Sequence, residues 1–124
     1  MQILGTGVDI VENLRIKKIL KNKLFINRIF STTEISLSKK VNNKANYYSK
    51  RFAAKEAFAK SIGTGFRNNL KFKDITVINN NKGKPSFVIT DKLKKIVKKK
   101  FKTSSFNFFL SISDEKKYSI AFVI

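Results

Sequence analysis

The chain has 124 residues, 42% of them hydrophobic, with no cysteine and no histidine. That composition describes one folded domain rather than a disordered segment, and it excludes disulfides, thiolate nucleophiles, zinc-thiolate sites and histidine bases. Against 27 Lys and Arg stand 8 Asp and Glu, a net charge of +19. A field of that sign attracts anionic partners, although abundant Lys, Asn, Ile and Phe are also what an AT-rich genome produces unaided.

The opening MQILGTGVDIVEN lacks a basic leader and holds an acidic residue inside its apolar stretch, so it does not read as a signal peptide. No apolar run approaches a membrane span, so membrane insertion is not expected and the cytosol is the expected compartment. Residues 2–12 predict a strand, interrupted by Gly5 and Gly7 where a bulge or a close backbone approach is needed. Asn13 is the expected cap of a short basic helix bearing Leu14, Ile16, Ile19 and Leu20. Phe25, Ile26, Ile29 and Phe30 suggest further helical turns, and Ser31 with Glu34 has the spacing of a capping box that starts another helix through Leu37.

The strongest helical pattern runs from Ala45 to Ile62 and stops at Gly63 and Gly65. Its apolar residues go nearly all round, so it should be buried. Ile75–Ile78 and Phe87–Ile89 read as a hairpin about the NNNKGKP turn. Asp91 is the expected cap of a Lys-rich helix through Phe101, and residues 106–113 and 118–124 read as two last strands with a turn at 114–117. No linker or repeat divides the chain. The expected fold is a single α+β domain over residues 1–124, an antiparallel sheet packed on a long central helix.

With His and Cys absent, chemistry falls to carboxylates, Lys, Arg, hydroxyls, backbone and a hard cation held by oxygen, such as magnesium, manganese or calcium. Glu34 and Asp91 are accounted for by helix starts, Asp74 by a strand entry, and Asp114 and Glu115 by a turn. Asp9, Glu12 and Glu56 remain. Asp9 interrupts an apolar strand, so its charge must be paired, bound to metal or turned into a wet cleft. Glu12 has the opposite strand parity and faces the other way. Glu56 shares a narrow helical stripe with Ser49, Ala53 and Lys60, which is either a binding wall or a plain Glu56–Lys60 pair. Spacing alone does not set the strand beside the helix.

Four segments together resemble the holo-acyl-carrier-protein synthases of the 4'-phosphopantetheinyl transferase superfamily. They are GTGVDIVE (Gly5–Glu12) followed by Arg15, RFAAKEAFAKSIGTG (Arg51–Gly65), GKP (Gly83–Pro85) and the ending SISDEKKYSIAFVI (Ser111–Ile124). The resemblance spans essentially the whole chain, and its central motif is long and specific. It implies the α+β fold of that family, assembled as a homotrimer with active sites between subunits. It also implies transfer of phosphopantetheine from coenzyme A to a serine of acyl carrier protein for fatty acid synthesis, with 3',5'-ADP leaving.

By motif position, Asp9 and Glu56 would hold magnesium, and with Lys60 would carry the chemistry. Arg51 and Lys60 match cationic positions near the coenzyme, and Lys55 would add to the same field. Gly63, Gly65, Gly83, Lys84 and Pro85 match segments bordering the nucleotide. Arg15 and Lys18 match the face that docks the acidic carrier protein. Where many relatives carry His in the last strands, this chain has Phe109 and Asp114, so that contact to the coenzyme is absent. The base that takes the serine proton stays open among Glu56, Asp9 and a metal-bound hydroxide. Other readings are a small RNA-binding module, an enzyme acting on carrier domains of larger synthases, and an inactive relative. The Lys residues are dispersed and no RNA signature is present, so nucleic acid is not the expected partner.

Overall fold

Nineteen residues, Lys44–Ile62, form α4, the helix on which the other elements pack. The structure is a computed structural model that describes residues 2–67 and 69–124. The Asn43 side chain accepts a hydrogen bond from the Asn46 amide at 3.0 Å and caps the start of α4. Gly63 ends it at φ 84°, the left-handed conformation that a side chain disfavours. Ala53, Ala54, Ala57, Phe58 and Ile62 are fully buried, so the helix is wrapped by the fold as its nearly all-round apolar pattern requires.

Before it come β1 (Gly7–Glu12), α1 (Asn13–Ile19), α2 (Lys23–Ile29) and α3 (Thr32–Ser38). After it come a 3-10 turn at Phe72–Asp74, β2 (Thr76–Asn79), β3 (Pro85–Val88), α5 (Asp91–Phe101), β4 (Leu110–Asp114) and β5 (Tyr118–Val123). The strands make a three-stranded antiparallel sheet in the order β1–β5–β4 and a separate β2–β3 hairpin. One face of the larger sheet buries Val11, Leu110, Ala121 and Val123 in a core shared with Phe30, Tyr47, Ala53 and Ala57 of the helices. A second cluster joins Phe58 and Ile62 of α4 to Leu70, Ile75, and Leu93 and Val97 of α5. This is the α+β architecture expected from the sequence.

Several boundaries differ from the sequence reading. The first strand starts at Gly7 rather than residue 2, because its ladder with β5 ends at the Gly7–Val123 pair. Ahead of that point the chain crosses α4 at backbone contact. A Cβ on Gly5 would lie 2.0 Å from the Ser61 carbonyl oxygen, and one on Gly7 1.9 Å from that of Ala57. The two glycines are thus a close approach rather than a bulge.

Asn13 is the first residue of α1 and not its cap, which is Glu12. Its amide donates instead to the Glu115 and Lys116 carbonyls at 2.9 and 3.2 Å and accepts from Ser119 Oγ at 2.7 Å, pinning the β4–β5 turn. Thr90, not Asp91, caps α5. The strand β4 begins only at Leu110, since Phe106 and Phe108 turn into the second core instead of entering the ladder.

Candidate active site

The junction of β1 and α4 assembles the charged residues that matter. Alternation along β1 turns Gly7, Asp9 and Val11 toward α4 and Val8, Ile10 and Glu12 outward. Because Gly7 lets the strand lie against Ala57, Asp9 reaches the helix one turn on. Lys60 Nζ sits 3.2 Å from Asp9 Oδ1 and donates to the Val8 carbonyl at 3.0 Å. The Asp9 side chain is 16% exposed and that of Lys60 53%. Lys60 therefore reaches across to the strand, where the sequence left open a pair with Glu56 inside the helix.

Glu56 is half-buried on the same side. Burial, and after it the neighbouring Asp9 charge, raise its pKa above the ordinary carboxylate range, while Lys60 and Arg15 pull in the opposite direction. A half-buried carboxylate held near a second one, Glu56 beside Asp9, is a setting for a cation. Among the described residues no three acidic side chains converge. Two carboxylates suit magnesium, which keeps several waters and completes its octahedron with substrate phosphate oxygens. The donor set thus fits the ion expected from the resemblance.

The other candidates lie elsewhere. Lys55, expected to add to the field around the coenzyme, is turned into the core of the chain. It is wholly buried and pairs with Glu34 at 2.7 Å. Its ammonium also donates to the carbonyls of Phe72, at 3.0 Å, and Ile75. Desolvation lowers its pKa, opposed chiefly by the Glu34 charge. A lysine with its donors spent inside the core has nothing left for a ligand. Glu34 in turn accepts from the Ser31 and Val77 amides, each at 3.0 Å. The capping box was legible in the sequence, whereas the tie to β2 and α4 was not.

Arg51 is also covered by its own chain, at 5% exposure. Its guanidinium stacks 3.6 Å over the Tyr47 ring and donates to Asn79 Oδ1 at 2.6 Å. The Asn79 amide donates onward to the Gly83 carbonyl at 2.9 Å. Arg51 thus reaches the Gly83–Lys84–Pro85 turn through Asn79. It precedes Glu56 by five residues, about 7 Å along the helix and about 140° around it. The structure does not bring it into the Asp9–Glu56 cluster. Asn79 gave no sign in the sequence, because its role depends on a hairpin register.

Gly63, Gly65 and Gly83 all have positive φ, at 84°, 62° and 83°, with open space where a Cβ would stand. Their role is conformational. Lys84 is exposed on the turn and Pro85 opens β3. Arg15 and Lys18 are exposed on α1, whose Ile16 is buried. Asp114 accepts a 2.7 Å hydrogen bond from Asn46 at the start of α4, and Phe109 is exposed beside the last strands.

Two carboxylates and a lysine gathered where a strand crosses a long buried helix are what the geometry offers, and comparison with known proteins gives the class. Residues 5–123 match the family model of the 4'-phosphopantetheinyl transferase superfamily. The holo-[acyl-carrier-protein] synthase of Pelagibacter ubique is 75% identical over 124 residues, covering 100% of this chain and 97% of that protein. The synthase of the same name from Ruthia magnifica is 46% identical over 98% of this chain and 95% of its own.

Among solved structures, the holo-[acyl-carrier-protein] synthase of Neisseria meningitidis superposes with a TM-score of 0.89 at 37% identity, over 98% of this chain and 97% of that one. The Helicobacter pylori synthase, solved in complex with coenzyme A, gives 0.79 at 30% identity, over 96% and 97%. This chain belongs to the 4'-phosphopantetheinyl transferase superfamily.

Proposed function

We propose that this chain is a holo-[acyl-carrier-protein] synthase that moves 4'-phosphopantetheine from coenzyme A to a serine of apo acyl carrier protein. The relatives' shared activity supports the reaction. The observation that carries it to these residues is the Asp9–Glu56–Lys60 cluster where β1 meets α4.

In the transfer, the serine oxygen forms a bond to the β-phosphorus of coenzyme A, the bond from that phosphorus to the bridging oxygen breaks, and 3',5'-ADP departs. A magnesium ion held by Asp9 and Glu56 would supply positive charge to the pyrophosphate oxygens. Lys60, half exposed and tethered to Asp9, places a fixed charge where negative charge grows. The serine proton must go to an oxygen base, and Glu56 and Asp9 are the carboxylates at hand. Burial raises the pKa of Glu56, which favours it as a proton acceptor when it is free of the cation. Arg15 and Lys18, exposed on α1, suit an acidic carrier protein.

The finer reading is a cytoplasmic, magnesium-dependent homotrimer serving fatty acid synthesis. Two features support assembly. The outer face of the larger sheet carries Val8 and Ile10, more than half exposed, and across from them Phe122 and Ile120. With Tyr118 and Phe109 they form an apolar surface that a monomer rarely leaves in water. Arg51 and the Gly83–Pro85 turn also lie apart from Asp9 and Glu56 within one copy, so a neighbouring copy would bring the two halves together. Among the described residues no helix is long and apolar enough to cross a membrane.

The test is the intact mass of apo acyl carrier protein after incubation with this protein, coenzyme A and magnesium. The expected result is the gain of one phosphopantetheine, abolished by a chelator and by Glu56→Gln. An unchanged carrier mass with folded protein would refute the proposal.

A further inference from the structure

The transfer reaction leaves the most concentrated charge on the molecule unused. The helix α5 reads DKLKKIVKKKF, and its Leu93 and Val97 are buried against Phe58, Ile62, Leu70 and Ile75. At 100° per residue, Lys94, Lys98, Lys95 and Lys99 fall in one arc of about 140° opposite that apolar side. All four are exposed. The only lysine of α5 with an acidic partner among the described residues is Lys92, 2.7 Å from Asp74. Lys100 and Lys102 add exposed charge at the helix end. The face is turned outward, opposite the side that packs against Phe58 and Ile62 of α4.

We propose that this lysine face docks the protein on an anionic lipid bilayer, by charge alone and without insertion. The chemistry of the face favours a bilayer over nucleic acid. It has no arginine to fork onto phosphates or bases and no exposed aromatic ring on which a base would stack. It is a convex row of compact ammonium groups, which suits a plane of diffuse negative charge. Because the apolar side of α5 is already buried in the core, none is left to enter the acyl region, so binding is peripheral and salt-reversible. Each lysine near an anionic surface strengthens binding about fivefold, so the four together contribute about three orders of magnitude. Held this way, the enzyme would work at the bilayer surface.

The experiment is co-sedimentation of the full-length protein with vesicles of phosphatidylcholine, with and without phosphatidylglycerol. Wild type should sediment only with the anionic vesicles and be released by high salt. The variant Lys94→Glu/Lys95→Glu/Lys98→Glu/Lys99→Glu should lose that binding by at least about a hundredfold while keeping its transferase rate in solution. Gln at the same four positions guards against a folding defect and should weaken binding in the same direction. Reversing four exposed lysines elsewhere, Lys23, Lys39, Lys40 and Lys73, matches the net charge and should leave most of the binding. Equal losses in the two charge-matched variants would overturn the proposal, showing only the pull of the overall +19. No binding to anionic vesicles at near-physiological salt would also overturn it, as would RNA binding that persists there in its place.

Discussion

Replacing Lys55 with Met separates an internal strut from a coenzyme contact. In the wild type the ammonium is wholly buried, paired with Glu34 and donating to two carbonyls of the 72–75 segment. Lys55→Met nearly conserves volume but leaves the Glu34 carboxylate without its cation and the two carbonyls without a donor. Breaking a buried pair in this one-sided way costs about 3–5 kcal/mol. Unfolding entropy of about 2.1 cal/mol/K per residue gives about 0.26 kcal/mol/K for a chain of 124 residues. The melting temperature should then fall by about 11–19 °C. Adding Glu34→Gln removes the stranded charge and should recover part of the loss, the signature of direct coupling. The assay pairs thermal melting by circular dichroism with steady-state kinetics well below the variant's transition. There the KM for coenzyme A should stay near wild type. A melting temperature within a few degrees of wild type, together with a large rise in that KM, would refute the reasoning and return Lys55 to the coenzyme.

Gly7→Ala would force a methyl into the Ala57 carbonyl oxygen, a backbone atom unable to swing aside. We expect a loss of at least about 2 kcal/mol in stability and a sharp drop in kcat at saturating magnesium as Asp9 moves off the helix. Unchanged melting and kcat would show that the close approach relaxes freely. The raised pKa of Glu56 sets a pH dependence. Its ionised form is needed for a cation, so the magnesium concentration for half-maximal rate should climb as pH falls toward the raised value. Metal-free stability should move the other way, this group contributing more as it takes up its proton. A magnesium requirement flat from neutral to mildly acidic pH would contradict both. Arg15→Glu should raise the KM for carrier protein at least tenfold while leaving coenzyme A binding near wild type, measured by calorimetry; equal loss of both would remove the docking role.

How far the sequence foretold this arrangement depended on how local each signal was. Ser31 and Glu34 announced a capping box because that pattern spans one helical turn. Asp9 stood out because a charge in an apolar strand needs an explanation, and Gly5 and Gly7 marked the backbone contact beside it. Lys55 and Arg51 are turned inward in a way the motif did not announce, because motif position says which residue stands where but not which way the helix turns it. Lys55 sits beside Glu56 in sequence, yet a rotation of about 100° sends one into the core and leaves the other half-buried beside Asp9. Asn13 and Asp91 were assigned caps that Glu12 and Thr90 hold, an ambiguity of one residue that propensity does not resolve. The pairing of Lys60 with Asp9 rather than Glu56 came from β1 crossing α4, which no spacing encodes.

The most direct test of the central claim is manganese binding, followed by electron paramagnetic resonance in the presence of coenzyme A, in wild type, Asp9→Asn and Glu56→Gln. The account predicts one tight site per chain in wild type, with affinity falling at least tenfold in each variant while the fold stays intact. Undiminished manganese binding in both variants would contradict the assignment of Asp9 and Glu56 as the cation ligands.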